Sequence, residues 1–91
     1  MSTIHIKQPH QLTRDDAKQR VEQIARELRS KLGVDYQWQG NSLQFKRSGA
    51  SGAIDCGDDF VEVNVKLGML LTPMKGQIEE SIKKNIESHL A

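Results

Sequence analysis

The sequence predicts an α+β protein, a two-layer sandwich in the order β-α-β-β-β-β-α with a mainly antiparallel sheet and both helices on one face. Three observations lead there. Ala17, Val21, Ile24, Ala25, Leu28 and Leu32 recur with the period of one helix face. Four later segments alternate apolar and polar residues, and Ile78, Ile82, Ile86 and Leu90 then return at every fourth position. Strands that alternate have a single apolar face, so the two helices are expected to share it and leave the reverse face wet.

The first strand is short: Ile4 and Ile6 alternate with His5 and Lys7, and Pro9 ends it. Thr13 followed by Asp16 resembles a capping box, and Asp15 and Asp16 place negative charge at the positive end of a helix dipole, so a helix is predicted from about Arg14. Its far side carries Lys18, Glu22, Arg26, Glu27 and Lys31, with Glu22 to Arg26 and Glu27 to Lys31 as acid-first pairs, and Gly33 supplies the stop. Val34, Tyr36 and Trp38 then point one way and Asp35, Gln37 and Gln39 the other. Gly40-Asn41 signals a turn into Leu43 and Phe45, which makes a hairpin. Ile54 and Cys56 continue the apolar face, with Gly49 and Gly52 marking a bulge or a close backbone approach. After the Gly57-Asp58-Asp59 turn, Val61, Val63, Val65 and Leu67 form the cleanest strand of the chain. Thr72 before Pro73 reads as an N-cap opening the last helix. The four later strands are expected to form a meander with the first strand beside the last. All four aromatic residues, Tyr36, Trp38, Phe45 and Phe60, are expected on or beside the core face.

At 91 residues, 1–91 form one domain, without repeat or linker and with room for one modest core. A lone Cys56 excludes an internal disulfide and a multi-cysteine zinc site, which fits a reducing compartment and a cytoplasmic location. No apolar run is long enough for a membrane span, and a formal net charge of +1 gives little electrostatic reason to expect nucleic acid as a partner.

The residues nominate no catalytic centre, no metal site and no cofactor, so the chain reads as a non-enzyme. His5, His10 and His89 lack metal-ligand spacing; Cys56 falls in phase with Ile54 on the core face; Asp58 and Asp59 are turn residues. Arg47-Ser48-Gly49 and the glycines after it lack the helix and the Gly-Lys-Ser/Thr of a phosphate loop. His10, just before the first helix, reads as a capping or loop hydrogen-bonding residue. One segment stands above this background. Met69, Leu70, Leu71 and Met74 put four large apolar side chains around a helix start. They serve either as loop cover closing the end of the core or as an adaptable contact for self-association or docking on an apolar surface.

The pieces His10-Gln11-Leu12, Trp38-Gln39-Gly40, Leu43-x-Phe45 with Arg47-Ser48-Gly49, and Leu67-Gly68 leading to Pro73 resemble those of the bacterial polyhydroxyalkanoic acid system proteins, over nearly the whole chain. The resemblance implies an accessory protein of bacterial polyhydroxyalkanoate storage, granule-associated, acting through contacts with other storage-granule proteins or the granule surface. Met69, Leu70, Leu71 and Met74 would then be the contact residues. The polar sheet face or an edge strand would serve a homodimer. The alternative from another class is a small-ligand carrier for an acyl or hydroxyacyl group, by loose analogy with a shortened helix-grip fold, with Trp38 and Phe45 as ligand-binding residues.

Overall fold

The computed structural model describes residues 2–90. The elements follow the expected order: β1 Ser2–Pro9, α1 Arg14–Leu32, β2 Asp35–Gln39, β3 Ser42–Arg47, β4 Ala50–Cys56, β5 Phe60–Leu67, a 3-10 turn Thr72–Met74, and α2 Lys75–Leu90. The strands form one antiparallel sheet in the order β1-β5-β4-β3-β2, so the meander closes with β1 against β5 and leaves β1 and β2 as edges.

Helix α1 starts where its chemistry allows. The Thr13 hydroxyl accepts the Asp16 N–H at 3.1 Å, which satisfies one of the donors a helix start leaves open. Gly33 ends it in the left-handed region at φ 69°, with its N–H donating to the Arg29 carbonyl at 3.0 Å. The buried face is Ala17, Val21, Ile24, Ala25 and Leu28; α2 buries Ile82, Ile86 and Leu90 into the same core. Helix α1 lies over β4 and β2 and α2 over β1, and the two helices touch each other. Both therefore occupy one side of the sheet. Their apolar partners are Ile4, Leu43, Phe45, Ile54, Cys56, Val61, Val63, Val65 and Leu67, which alternate along the strands as predicted.

The first strand, the start of α2 and one aromatic residue depart from expectation: β1 is not short but runs eight residues, as long as β5, because it pairs with β5 over its whole length. Thr72 does not cap a helix: Leu71 stands at the cap position of the 3-10 turn, with no side-chain capping bond, and the Thr72 hydroxyl instead donates back to the Gly68 carbonyl at 3.0 Å. Pro73 sits inside that turn, which runs directly into α2. Phe60 is half-buried, but it lies in phase with Glu62 and Asn64 on the wet face, where the Lys7 amine covers its ring at 4.5 Å from the centroid. Position at a strand start, paired with Pro9, left its phase open in the sequence.

Register explains Gly52. It pairs with Phe45 on one side and Val65 on the other, in the core-facing row. A Cβ there would lie 2.4 Å from the Asn64 carbonyl oxygen and 2.8 Å from the Phe45 ring. The missing side chain is what lets the Phe45 ring lie across β4. Gly52→Ala is expected to cost about 2–3 kcal/mol through overpacking, read as a lower urea midpoint with an unchanged slope.

Candidate functional site

The Met69 to Met74 segment is held mainly through Gly68. Gly68 donates its N–H to the Gly49 carbonyl at 2.8 Å, and the Gly68 carbonyl accepts the Leu71 and Thr72 N–H groups at 3.1 Å as well as the Thr72 hydroxyl. These bonds bend the chain so that its apolar side chains separate. Leu71 turns inward, partly buried, with its methyl carbon 3.4 Å from the Cβ position of Gly49. Met69 and Leu70 stand 82% and 90% exposed at the tip, and Met74 is 46% exposed behind them. Of the four nominated contact residues, then, Met69, Leu70 and Met74 face outward while Leu71 anchors the tip.

Trp38 and Phe45, the pair nominated for a ligand, are diagonal neighbours on β2 and β3 but line no common cavity. Phe45 is buried and borders a small apolar cavity of about 70 Å³ between α2, the end of α1 and the sheet, together with Leu28, Val65, Leu71, Met74 and Ile82. Trp38 is absent from those walls. Its indole lies under α1 at the outer edge of the sheet, where the Nε1–H donates to Glu22 Oε1 at 2.8 Å and the Lys18 amine sits 5.1 Å from the ring centroid. The Tyr36 hydroxyl donates to Glu22 Oε2 at 2.6 Å, and Arg26 Nε to the same oxygen at 3.0 Å. Lys18 also donates to the Gly40 carbonyl at 3.0 Å.

Glu22 is thus a hub and not only the helix-surface partner of Arg26 that its spacing suggests. Burial pushes its pKa up, but the hydrogen bonds from Tyr36, Trp38 and Arg26, with the Arg26 charge, outweigh this and hold the carboxyl below its ordinary 4.5. The signal for the hub was present in the chain: two aromatic residues in phase on an edge strand carry polar atoms that need acceptors once half-buried.

Around the start of α1, His10 is buried, donates its N–H to the Asp59 carbonyl at 2.9 Å, and accepts the Leu12 N–H at Nδ1 at 3.1 Å. This is the loop hydrogen-bonding role its position suggests. Its Nε2 is buried without a hydrogen-bond partner in the protein. Asp58, in the β4–β5 turn, pairs with Arg14 of α1. Among the described residues no three histidine, cysteine or acidic side chains converge as metal ligands. Cys56 is buried, and desolvation pushes its thiol up to about 11, slightly opposed by the charge of Lys18. The thiolate that nucleophilic chemistry requires is scarce at neutral pH.

Two outcomes follow from this geometry. Folded protein at about pH 8 is expected to resist alkylation of Cys56 by iodoacetamide, and urea-unfolded protein to react completely, as scored by mass spectrometry. For Glu22 the folded-state pKa lies below the unfolded one, so its stabilisation is complete above the ordinary glutamate range and lost as pH falls through the lowered value. Glu22→Gln is expected to cost about 1–2 kcal/mol at neutral pH and progressively less as the pH falls below the ordinary glutamate range, measured by urea unfolding.

Residues 4–90 match the family described as "putative polyhydroxyalkanoic acid system protein". No curated protein and no solved structure matches the chain. No helix among the described residues is long and apolar enough to cross a membrane. The match runs from within β1 to the end of α2, and the chain belongs to the polyhydroxyalkanoic acid system family.

Proposed function

We propose that this protein is a non-enzymatic accessory protein of polyhydroxyalkanoate storage that attaches to the apolar surface of the storage granule through Met69, Leu70 and Met74. The observation that carries the reading is the exposure of Met69 and Leu70, 82% and 90%, at a tip braced by four hydrogen bonds around Gly68 and Gly49. Burying a Met or Leu side chain fully is worth about 1.5–3 kcal/mol, so two such residues supply the energy of a reversible contact with an apolar surface. Methionine adapts to an irregular surface because its unbranched chain has several rotatable bonds. A storage polyester presents such a surface, and the family places the chain in that system.

A carrier that holds its acyl group between the helices and the sheet has less to support it. Pockets for small molecules run to roughly 300–1,000 Å³, whereas the cavity beneath α2 holds about 70 Å³ and lacks Trp38 among its walls.

Replacing both Met69 and Leu70 with serine removes the contact without touching the core. The double variant is expected to keep the wild-type circular dichroism and melting curve, while its co-sedimentation with protein-free polyhydroxyalkanoate particles falls about tenfold or more. Undiminished co-sedimentation would overturn the reading. Loss of binding only on granules that retain their native proteins would move the partner from the polymer to a granule protein.

A further inference from the structure

The wet face of the sheet is not uniform. Strand β4 is central, and on that face it carries Ser51 and Ala53 before Asp55, with longer residues on both sides of the first two: Lys46 and Gln44 from β3, Lys66 and Asn64 from β5. Small side chains along the middle strand and long ones beside it leave an open trough of about 690 Å³ with Ser51 and Ala53 in its floor.

The register sets the chemistry of this trough. Lys46 pairs with Ser51 and Ser51 with Lys66, so the two lysines flank one serine hydroxyl from opposite sides. Strands lie about 4.8 Å apart, which roots the two lysines about 10 Å from each other, a gap their flexible arms close from both sides. Both are exposed, and neither amine has a carboxylate within ion-pair distance among the described residues. Asp35 pairs in register with Lys46 at the sheet edge but makes no ion pair with it. The acidic residues Asp55 and Glu62 sit four positions further along their strands, about 13 Å away, and Glu62 is already bonded to His5 at 2.7 Å. Beside the lysine row runs a row of amides, Gln37, Gln44 and Asn64, flanking Ala53. Gln44 donates to the Ser42 hydroxyl.

Two like charges in one row repel unless something of opposite sign lies between them. A single oxyanion above Ser51 would take both ammonium groups and the serine O–H, and the amide row would supply neutral donors for whatever the anion is attached to. We infer that Lys46, Ser51 and Lys66 form a binding site for one oxyanion, a carboxylate or a phosphate group, at the head of a linear molecule that lies in the trough. None of these residues belongs to the Met69 to Met74 tip, so this site and the granule contact stand or fall separately.

The test follows backbone amide resonances of the isotope-labelled full chain during titration with inorganic phosphate, acetate and hexanoate at constant ionic strength. Saturable shifts in the millimolar range are expected at Lys46, Ser51 and Lys66. The head group with the lower Kd identifies the class, and additional shifts at Gln44 and Asn64 with hexanoate alone report a bound chain. Lys46→Gln with Lys66→Gln is expected to weaken binding about tenfold or more while leaving the rest of the spectrum in place, and Lys83→Gln on α2 is expected to change nothing. Shifts that rise without saturating, that persist in the double variant, or that centre on other lysines would overturn the site.

Discussion

Strand β2 joins the core through Tyr36 and Trp38, rings whose rims carry an O–H and an N–H, and a half-buried donor without an acceptor costs about 1–3 kcal/mol. Glu22 removes that cost twice, one carboxylate oxygen for each ring, and Arg26 neutralises the charge this places beside the sheet. Because β2 is an edge, its only strand neighbour is β3. Its attachment to the helical layer therefore depends on polar geometry as much as on apolar area, whereas the other edge, β1, is held by Ile4 and by α2. Around the hub, the Lys18 bond to Gly40 fixes the β2–β3 turn, and Arg47 donates to the Leu32 carbonyl at 2.9 Å, closing the C-terminal end of α1.

The two layers carry different kinds of information. The core rows are set by alternation: Phe45, Gly52, Val65 and Ile4 lie in one register line, and Leu43, Ile54 and Val63 in the next. The reverse face repeats the same register with other chemistry. Lys46 and Lys66 share one row with Asp35, amides cross the middle, and Asp55 and Glu62 share the far row with Lys7.

The order of elements, the sharing of one face by both helices and the inward phase of Cys56 were all legible in the chain, because each follows from spacing along one segment. The strand order was legible too, since short turns force neighbours to pair. Contacts between segments were not. Glu27 reads as a partner for Lys31, yet it meets His89 of α2 at 3.1 Å, because only packing brings that histidine near. The Glu22 hub needs α1 and β2 side by side. Thr72 looked like a cap because a Thr-Pro pair usually opens a helix, and the Gly68 carbonyl competed for its hydroxyl. The division of the apolar segment, with Leu71 in and its neighbours out, rests on the Gly49–Gly68 bond, which joins residues nineteen positions apart.

That bond matters for anything the tip touches. A floppy loop would surrender conformational freedom on adhesion, roughly 1–2 kcal/mol for each residue whose backbone becomes fixed. Here the freedom has already been given up during folding, through the β3–β4 turn that Gly49 occupies at φ 86° and the chain leaving β5. The position of Met69 and Leu70 at the surface is thus inherited from a hairpin on the neighbouring strand.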